Sequence, residues 1–403
     1  MSAPEHEKTI NPWQDRSGFT RVHGANILLA FLTLALCAFA LTCAGDERVA
    51  LIVLPVLFIY TVLIVKTPAT VIHLLLCAVA AFFLTSSFSG ASVVLALIVG
   101  VSVLAWLLTV LKSFFAVPLV LVAVFAASWL ITGDLSTSVL AFALLPAGAA
   151  MAIATVWGKD RTSVIVWAQI GLFLTVVALA MALIARNYGA VNADTVTRAV
   201  ADLRAGAVDS LGALRDEMIK TLQAGGEENA EMIARLGEVL GDNMLHTAVT
   251  AVICVLPGLV GMACGIIAFE AQLLLGTTYL RTGWKQVLTR EACMFTMSAT
   301  ASVLYVIASF MTLFLGVNSI FGAAVQNLYL ILLPGFCVLG LGAVSARMRR
   351  PNGGSLMLLL LLGAMLCCTS VYALSFLSLW GAFANIGVAR RARKSEGDDD
   401  NDD

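Results

Sequence analysis

The chain has 403 residues, of which 60% are apolar and only 12% charged, and its formal net charge is −1. Soluble domains carry about 45–50% apolar and about 25% charged residues, so this composition excludes a soluble globular enzyme and points to a polytopic membrane protein. A balanced charge also leaves no basic footprint for nucleic acid.

Residues 1–24 are polar, carry both charge signs and contain no short apolar core, which reads as a cytoplasmic tail and not as a cleaved signal peptide. Apolar runs follow at 25–45, 49–65, 69–85, 91–111, 115–132, 135–157 and 162–185. Each is close to the about 20 residues that a helix needs to cross hydrocarbon, so 25–185 forms a first transmembrane half of about seven spans.

The stretch 186–246 is the one long polar segment between apolar blocks. Val200, Leu203, Ala207, Leu211, Leu214, Met218 and Leu222 recur at steps of three and four, which places them on one stripe of a helix. Gly225 and Gly226 break that pattern, and a second stripe continues through Met232, Leu236, Val239, Asn243 and Met244. Two amphipathic helices joined at the Gly-Gly pair would form a hairpin at one face of the bilayer. Such a hairpin either caps the bundle, lies on the interface, or docks a membrane or envelope partner.

Apolar sequence resumes at 247–280, 291–315, 326–345 and 355–389, giving a second half over 247–389 with about five spans. The last block is long for one crossing and short for two: it is either a tight hairpin near Thr369 or one span with an interfacial helix. Charge chooses between them. With the N-terminus inside, cytoplasmic segments collect seventeen of the 24 Lys and Arg, and apart from Arg48 the others all lie in the 186–246 insert. The positive-inside rule therefore favours the hairpin, about twelve spans in an all-α bundle, both termini cytoplasmic and the insert outside. Residues 390–403 form a basic then acidic tail, whose end reads as disordered.

All nine cysteines lie in apolar segments and read as small buried hydrophobes. No metal-ligand spacing, phosphate loop or catalytic triad pattern stands out, so we expect no catalytic residues, no metal and no cofactor. Glu270 is the one acidic residue inside an apolar span, with Gln272 beside it. A carboxylate there is costly to bury and becomes a candidate for substrate or proton handling, unless the helix tilts enough to bring it to the inner interface beside Arg281. His73, Gln169 and Asn327 are further polar candidates, each able instead to bond a neighbouring helix. Gln326 and Asn327 would open the tenth span.

Pro55, Pro146, Pro257 and Pro334 each follow a leucine in a span running outside to inside, and Gly258 and Gly335 follow two of them. Proline removes a backbone donor and kinks a helix, and interrupted helices near the midplane are where transporters place substrates. These positions are candidate helix breaks around a midplane cavity. Gly261 and Gly265 add a GxxxG packing motif.

The runs LPGLVGMACGIIAFEAQLLLGTTYLRTG (256–283), NLYLILLPGFCVLGLGAVSARMRR (327–350) and FLSLWGAFANIGVARRARK (376–394) resemble the YybS-like family of bacterial multi-pass membrane proteins. The resemblance implies a bacterial plasma-membrane protein with kinship to the substrate-capturing components of energy-coupling-factor transporters. It also implies an acidic residue near the C-terminal basic cluster; the chain has none between Gly381 and Arg390, where Asn385 is the nearest polar side chain. The leading expectation is small-molecule transport or substrate capture through a midplane cavity. The alternative is an assembly protein whose outer hairpin docks a partner.

Orientation is directly testable. Single cysteines at Ser210 and Glu228 should react with an impermeant maleimide on intact cells, and one at Ser345 should not. Protection at Ser210 with labelling at Ser345 would invert the topology.

Overall fold

The structure is a computed structural model that describes residues 24–65, 68–111, isolated positions between 122 and 142, 144–224, 230–281, 295–317, 319–348 and 370–399. Among these residues the fold is helical, without strands. The helices are α1 (Gly24–Thr42), α2 (Glu47–Val65), α3 (Pro68–Thr85), α4 (Phe88–Leu111), α5 (Leu144–Val156), α6 (Arg161–Tyr188), α7 (Ala193–Ala224), α8 (Ala230–Val239), α9 (Asp242–Arg281), α10 (Ala299–Met311), α11 (Ile320–Met348) and α12 (Ser370–Asp399). They form two compact units.

The first unit comprises Met1–Leu179, Ala263–Ser298 and Leu341–Ser355. Its centre is α4, which is apolar on every side and therefore has no face to offer water. Ile98, Val99, Val101, Leu104 and Leu107 are fully buried, and α1, α2, α3 and α5 pack around them. A Cβ on Gly100 would meet the Leu144 side chain, and one on Gly148 would meet Leu104, so α4 and α5 run parallel. That direction matches the two sequence spans flanking 115–132, a span of which only isolated positions are described. Glu47, the first residue of α2, also caps α4. Its carboxylate accepts from the Phe88 and Ser89 amides at 3.1 and 3.2 Å, filling donors that a helix start leaves open. The α5–α6 hairpin turns at Gly158 (φ +64°), where the left-handed backbone suits glycine. Beyond it, Asp160 caps α6 through Ser163.

The second unit comprises Ala180–Met262, Ala299–Gly340 and Leu356–Asp403. Ser302 pairs with Asn385 and Tyr305 with Ser378, so α10 and α12 are antiparallel. Gln326 reaches the Leu315 carbonyl and Tyr305 stacks on Phe336, making α10 and α11 antiparallel as well. Hence α11 and α12 point the same way; the first part of the 355–389 block lies outside the described residues. They meet at Gly340 and Gly381, where a Cβ on Gly381 would strike the Phe336 carbonyl and lie 2.6 Å from the Gly340 nitrogen. Gly258 faces Asn327 and Gly261 faces Ile331, so α9 and α11 are parallel.

Among the described residues four helices are long and apolar enough to cross a membrane: Phe88–Leu111, Arg161–Tyr188, Asp242–Gly276 and Ile320–Val344. Several boundaries differ from the sequence reading. The second stripe of the insert is divided, because α8 ends at Val239 and Asn243 and Met244 fall in the first turn of α9. Asp242, an acidic residue at a helix start, sets that junction. Gln326 and Asn327 do not open a span, since α11 already begins at Ile320. The C-terminal helix does not stop at 390 but continues through the basic cluster to Asp399, where a disordered tail was expected. Gly225 and Gly226 lie outside the described residues.

The α11–α12 crossing makes a graded test. Gly381→Val should force the backbones apart at a cost of about 1–3 kcal/mol, read as a lower unfolding temperature in detergent. Gly387→Ala, whose added methyl meets nothing within 4 Å, should be neutral or slightly stabilising.

Candidate functional site

The polar candidates fall into separate places. In the first unit, Arg161 at the start of α6 donates from Nε to Gln272 Oε1 of α9 at 2.7 Å, and its guanidinium lies 5.6 Å from the Phe269 ring centre. Thr162 Oγ1 donates to the Thr296 carbonyl and accepts the Thr296 amide at 3.1 Å. Farther along, Gln169 faces Gly265, where a Cβ would lie 3.0 Å from its Nε2, so the glycine of the GxxxG motif makes room for a carboxamide. Glu270 is 7% exposed and lies within electrostatic reach of Cys77 on α3. It stands within one turn of Gln272, level with the first residues of α6. The Arg281 side chain lies outside the described residues, as does that of His73.

In the second unit the proline of α9 has become a junction. Pro257 has no N–H for the Ile253 carbonyl, and the next pair in the ladder, Cys254 C=O and Gly258 N–H, is occupied from outside the helix. Asn327 of α11 donates from Nδ2 to the Cys254 carbonyl at 3.0 Å and accepts the Gly258 amide on Oδ1 at 2.6 Å. A carboxamide is one of the few groups that presents a donor and an acceptor side by side, as this pair demands. Gly258 is needed there for space, because a Cβ would lie 2.7 Å from both the Asn327 Cα and its Oδ1. Such interhelical bonds are worth about 0.6–2 kcal/mol each in a membrane, enough to fix a register and small enough to open.

The other prolines do not break their helices. α2 and α11 run through Pro55 and Pro334 without interruption, Gly335 simply continues α11, and Pro146 lies in the first turn of α5, where a missing N–H is harmless. Pro55 and Pro257 are exposed. These positions are therefore a correction to the expected set of helix breaks, with Pro257–Gly258 the one where an outside group enters the ladder.

Sequence reading missed a buried polar cluster between α10, α11 and α12. Tyr305 Oη donates to Ser378 Oγ at 2.6 Å, Ser378 donates to the Ser375 carbonyl at 2.8 Å, and Tyr329 Oη pairs with Ser375 Oγ at 3.0 Å. Tyr305 is fully buried, stacked on Tyr329 and Phe336 with ring centres 5.4 and 4.4 Å away. Asn385, which the family pattern drew attention to, donates to Ser302 Oγ at 2.9 Å. The signal available was tyrosine and serine inside apolar runs, but nothing in one dimension says that these residues share a layer. Their hydroxyls are used up within the bundle, so the cluster is a packing network.

Outside the apolar helices, Arg215 of α7 donates from one guanidinium nitrogen to the Leu240 carbonyl at 3.0 Å and to Asp242 Oδ1 at 2.7 Å. The hydrogen bond to Asp242, then that to Asp216, holds its guanidinium even further above its ordinary range. This clasp fastens α7 to the corner where α8 ends and α9 begins. Meanwhile the stripe on α7 faces outward, with Leu203 53%, Leu211 42%, Leu214 54% and Met218 44% exposed, while Val208, Gly212, Ile219 and Leu222 are less exposed. The stripe is thus exposed from Leu203 to Met218.

Cys37, Cys43, Cys77, Cys254, Cys264 and Cys337 are free thiols; Cys293, Cys367 and Cys368 lie outside the described residues. Among the described residues no cluster of three or more His, Cys, Asp or Glu could hold a metal. Comparison with protein-family models, with curated proteins and with solved structures finds no match.

Arg161→Ala should lower the unfolding temperature by removing a bond worth about 1–2 kcal/mol, and Arg161→Lys should restore only part of it because the planar Nε–H is lost. Equal unfolding temperatures for all three proteins would mean that Arg161 does not hold α6 to α9.

Proposed function

We propose that this integral membrane protein is a docking or assembly component, whose α7 and α8 stand on the extracytoplasmic side and hold a partner protein against the bilayer. The observation that carries this reading is the exposed Leu203, Leu211, Leu214 and Met218 stripe on a 32-residue helix. An exposed apolar stripe at helical spacing fits an amphipathic helix or a groove on another protein. The flanks of α7 favour protein over lipid: they carry Asp194, Arg198, Asp202, Arg204, Asp209, Asp216, Glu217 and Lys220, both signs interspersed, whereas interfacial lipid-binding helices concentrate Lys and Arg. Meanwhile the described intramembrane polar side chains Gln272, Asn327, Tyr305 and Asn385 bond other helices, which supports a packed bundle over an open cavity. The positive-inside partition supports about twelve spans with cytoplasmic termini, and the resemblance to YybS-like proteins supports a bacterial plasma membrane. Small-molecule transport is the second reading, favoured by the carboxamide set into α9 at Pro257–Gly258.

Because Leu211 and Leu214 face outward, Leu211→Asp with Leu214→Asp should leave the unfolding temperature unchanged and abolish docking. A photoreactive residue at Leu203 in native membranes should form a protein adduct that this double variant loses, and one at Lys220 on the opposite face should form none. Adducts with lipid alone at Leu203, or a protein adduct that survives the two aspartates, would remove the docking reading.

A further inference from the structure

The Asn327 junction does more than pack two helices together. In a 40-residue helix, two successive ladder positions depart from the regular pattern: the Ile253 carbonyl faces a proline, and the Cys254 carbonyl and Gly258 amide are both bonded by a side chain from α11. A helix loses stiffness where its own ladder is interrupted by proline or by an inserted group. Here the interruption is answered from outside, so the straightness of α9 depends on one carboxamide of α11. On the other side of this point, Asp242 at the start of α9 is gripped by Arg215, which couples the first turns of α9 to α7.

We propose that Asp242–Leu256 is a lever hinged at Pro257–Gly258, that Asn327 is the pin that holds the hinge closed, and that α7 is the arm that moves it through the Arg215–Asp242 clasp. In the pinned state Asn327 bridges Cys254 and Gly258, as in this structure. In the released state the Gly258 amide closes directly on the Cys254 carbonyl, the usual partner four residues back, and the outer segment of α9 is free to tilt about the proline. Both states leave that backbone pair hydrogen-bonded, while release costs the Asn327 carboxamide its two partners, so the equilibrium favours the pinned state. The side of α9 that bends is open, since Pro257 is exposed while Gly258 is buried against Asn327. This hinge does not rest on the docking reading: it requires only that α7 and α9 be fastened together.

The test measures the lever directly. In full-length protein reconstituted in nanodiscs, with the nine native cysteines changed to alanine or serine, spin labels go on Met244→Cys in the lever and Leu374→Cys in α12, both exposed positions of the second unit. The native pair should give one narrow distance distribution. Asn327→Leu, similar in size but without the carboxamide, should widen it about twofold or split it in two. Pro257→Ala restores the donor to Ile253 and should return the Asn327→Leu protein to a narrow distribution. Arg215→Ala, which uncouples the arm, should leave the pin intact and the distribution narrow. An unchanged distribution in Asn327→Leu, or widening that Pro257→Ala does not reverse, would overturn the hinge. If Asn327→Leu alone fails to accumulate, the double variant decides: accumulation with a narrow distribution supports the pin, and failure there too makes Asn327 an ordinary packing residue.

Discussion

Hydrocarbon offers no hydrogen bonds, so every polar group carried into a membrane span has to be answered by the protein. That requirement organises the second unit. Asn327 is placed where α9 itself has opened a donor and an acceptor, Asn385 where Ser302 awaits it, and Tyr305, Tyr329, Ser375 and Ser378 close on one another. Each of these bonds joins two helices, and each therefore sets register and direction as well as satisfying chemistry. The antiparallel run of α10 and α12 follows from just two such pairs. In the first unit the same requirement acts at the ends: Glu47 serves the start of α4, and Arg161 serves Gln272.

Close approach is the second condition, and it depends on small residues. Between apolar helices in lipid there is little hydrophobic gain from association, so contact area and short interhelical bonds must hold the bundle. Gly258 admits the Asn327 backbone and Gly340 with Gly381 admit two helices to backbone contact. Where the glycine is missing the polar bond could not form: an alanine at 258 would occupy the space in which the Asn327 amide sits. The polar and the steric requirements are thus one design, which explains why the proline at 257 is followed by glycine and not by another leucine.

The extramembrane part obeys different rules. Asn192 caps the start of α7 by accepting the Thr195 amide, and the apolar stripe from Leu203 to Met218 is exposed. Arg215 ties α7 to the corner between α8 and α9, meeting a terminal carbonyl and a capping aspartate together, and Tyr188 ties it to the end of α6 through Asp202. Held at that corner, α7 is a long arm with a free apolar side, and the arm and the opened ladder of α9 belong to the same connected structure.

Several features were legible in the sequence by itself. Length of apolar runs and scarcity of charge fix the helical membrane class, because hydrocarbon thickness and the cost of buried charge leave no other solution. The spacing of Val200 to Leu222 is enough for an amphipathic helix, and Leu-Pro-Gly at 256–258 is enough to mark α9 as a place of interest. Sequence reading went astray where the deciding partner is far along the chain. The partner of Gln272 is Arg161, about a hundred residues earlier. What meets the ladder of α9 beside Pro257 depends on Asn327, about seventy residues later. Local propensity and hydropathy act over a few turns and so survive in one dimension. Pairing of donors with acceptors, and the closeness that permits it, exists only once the helices have met.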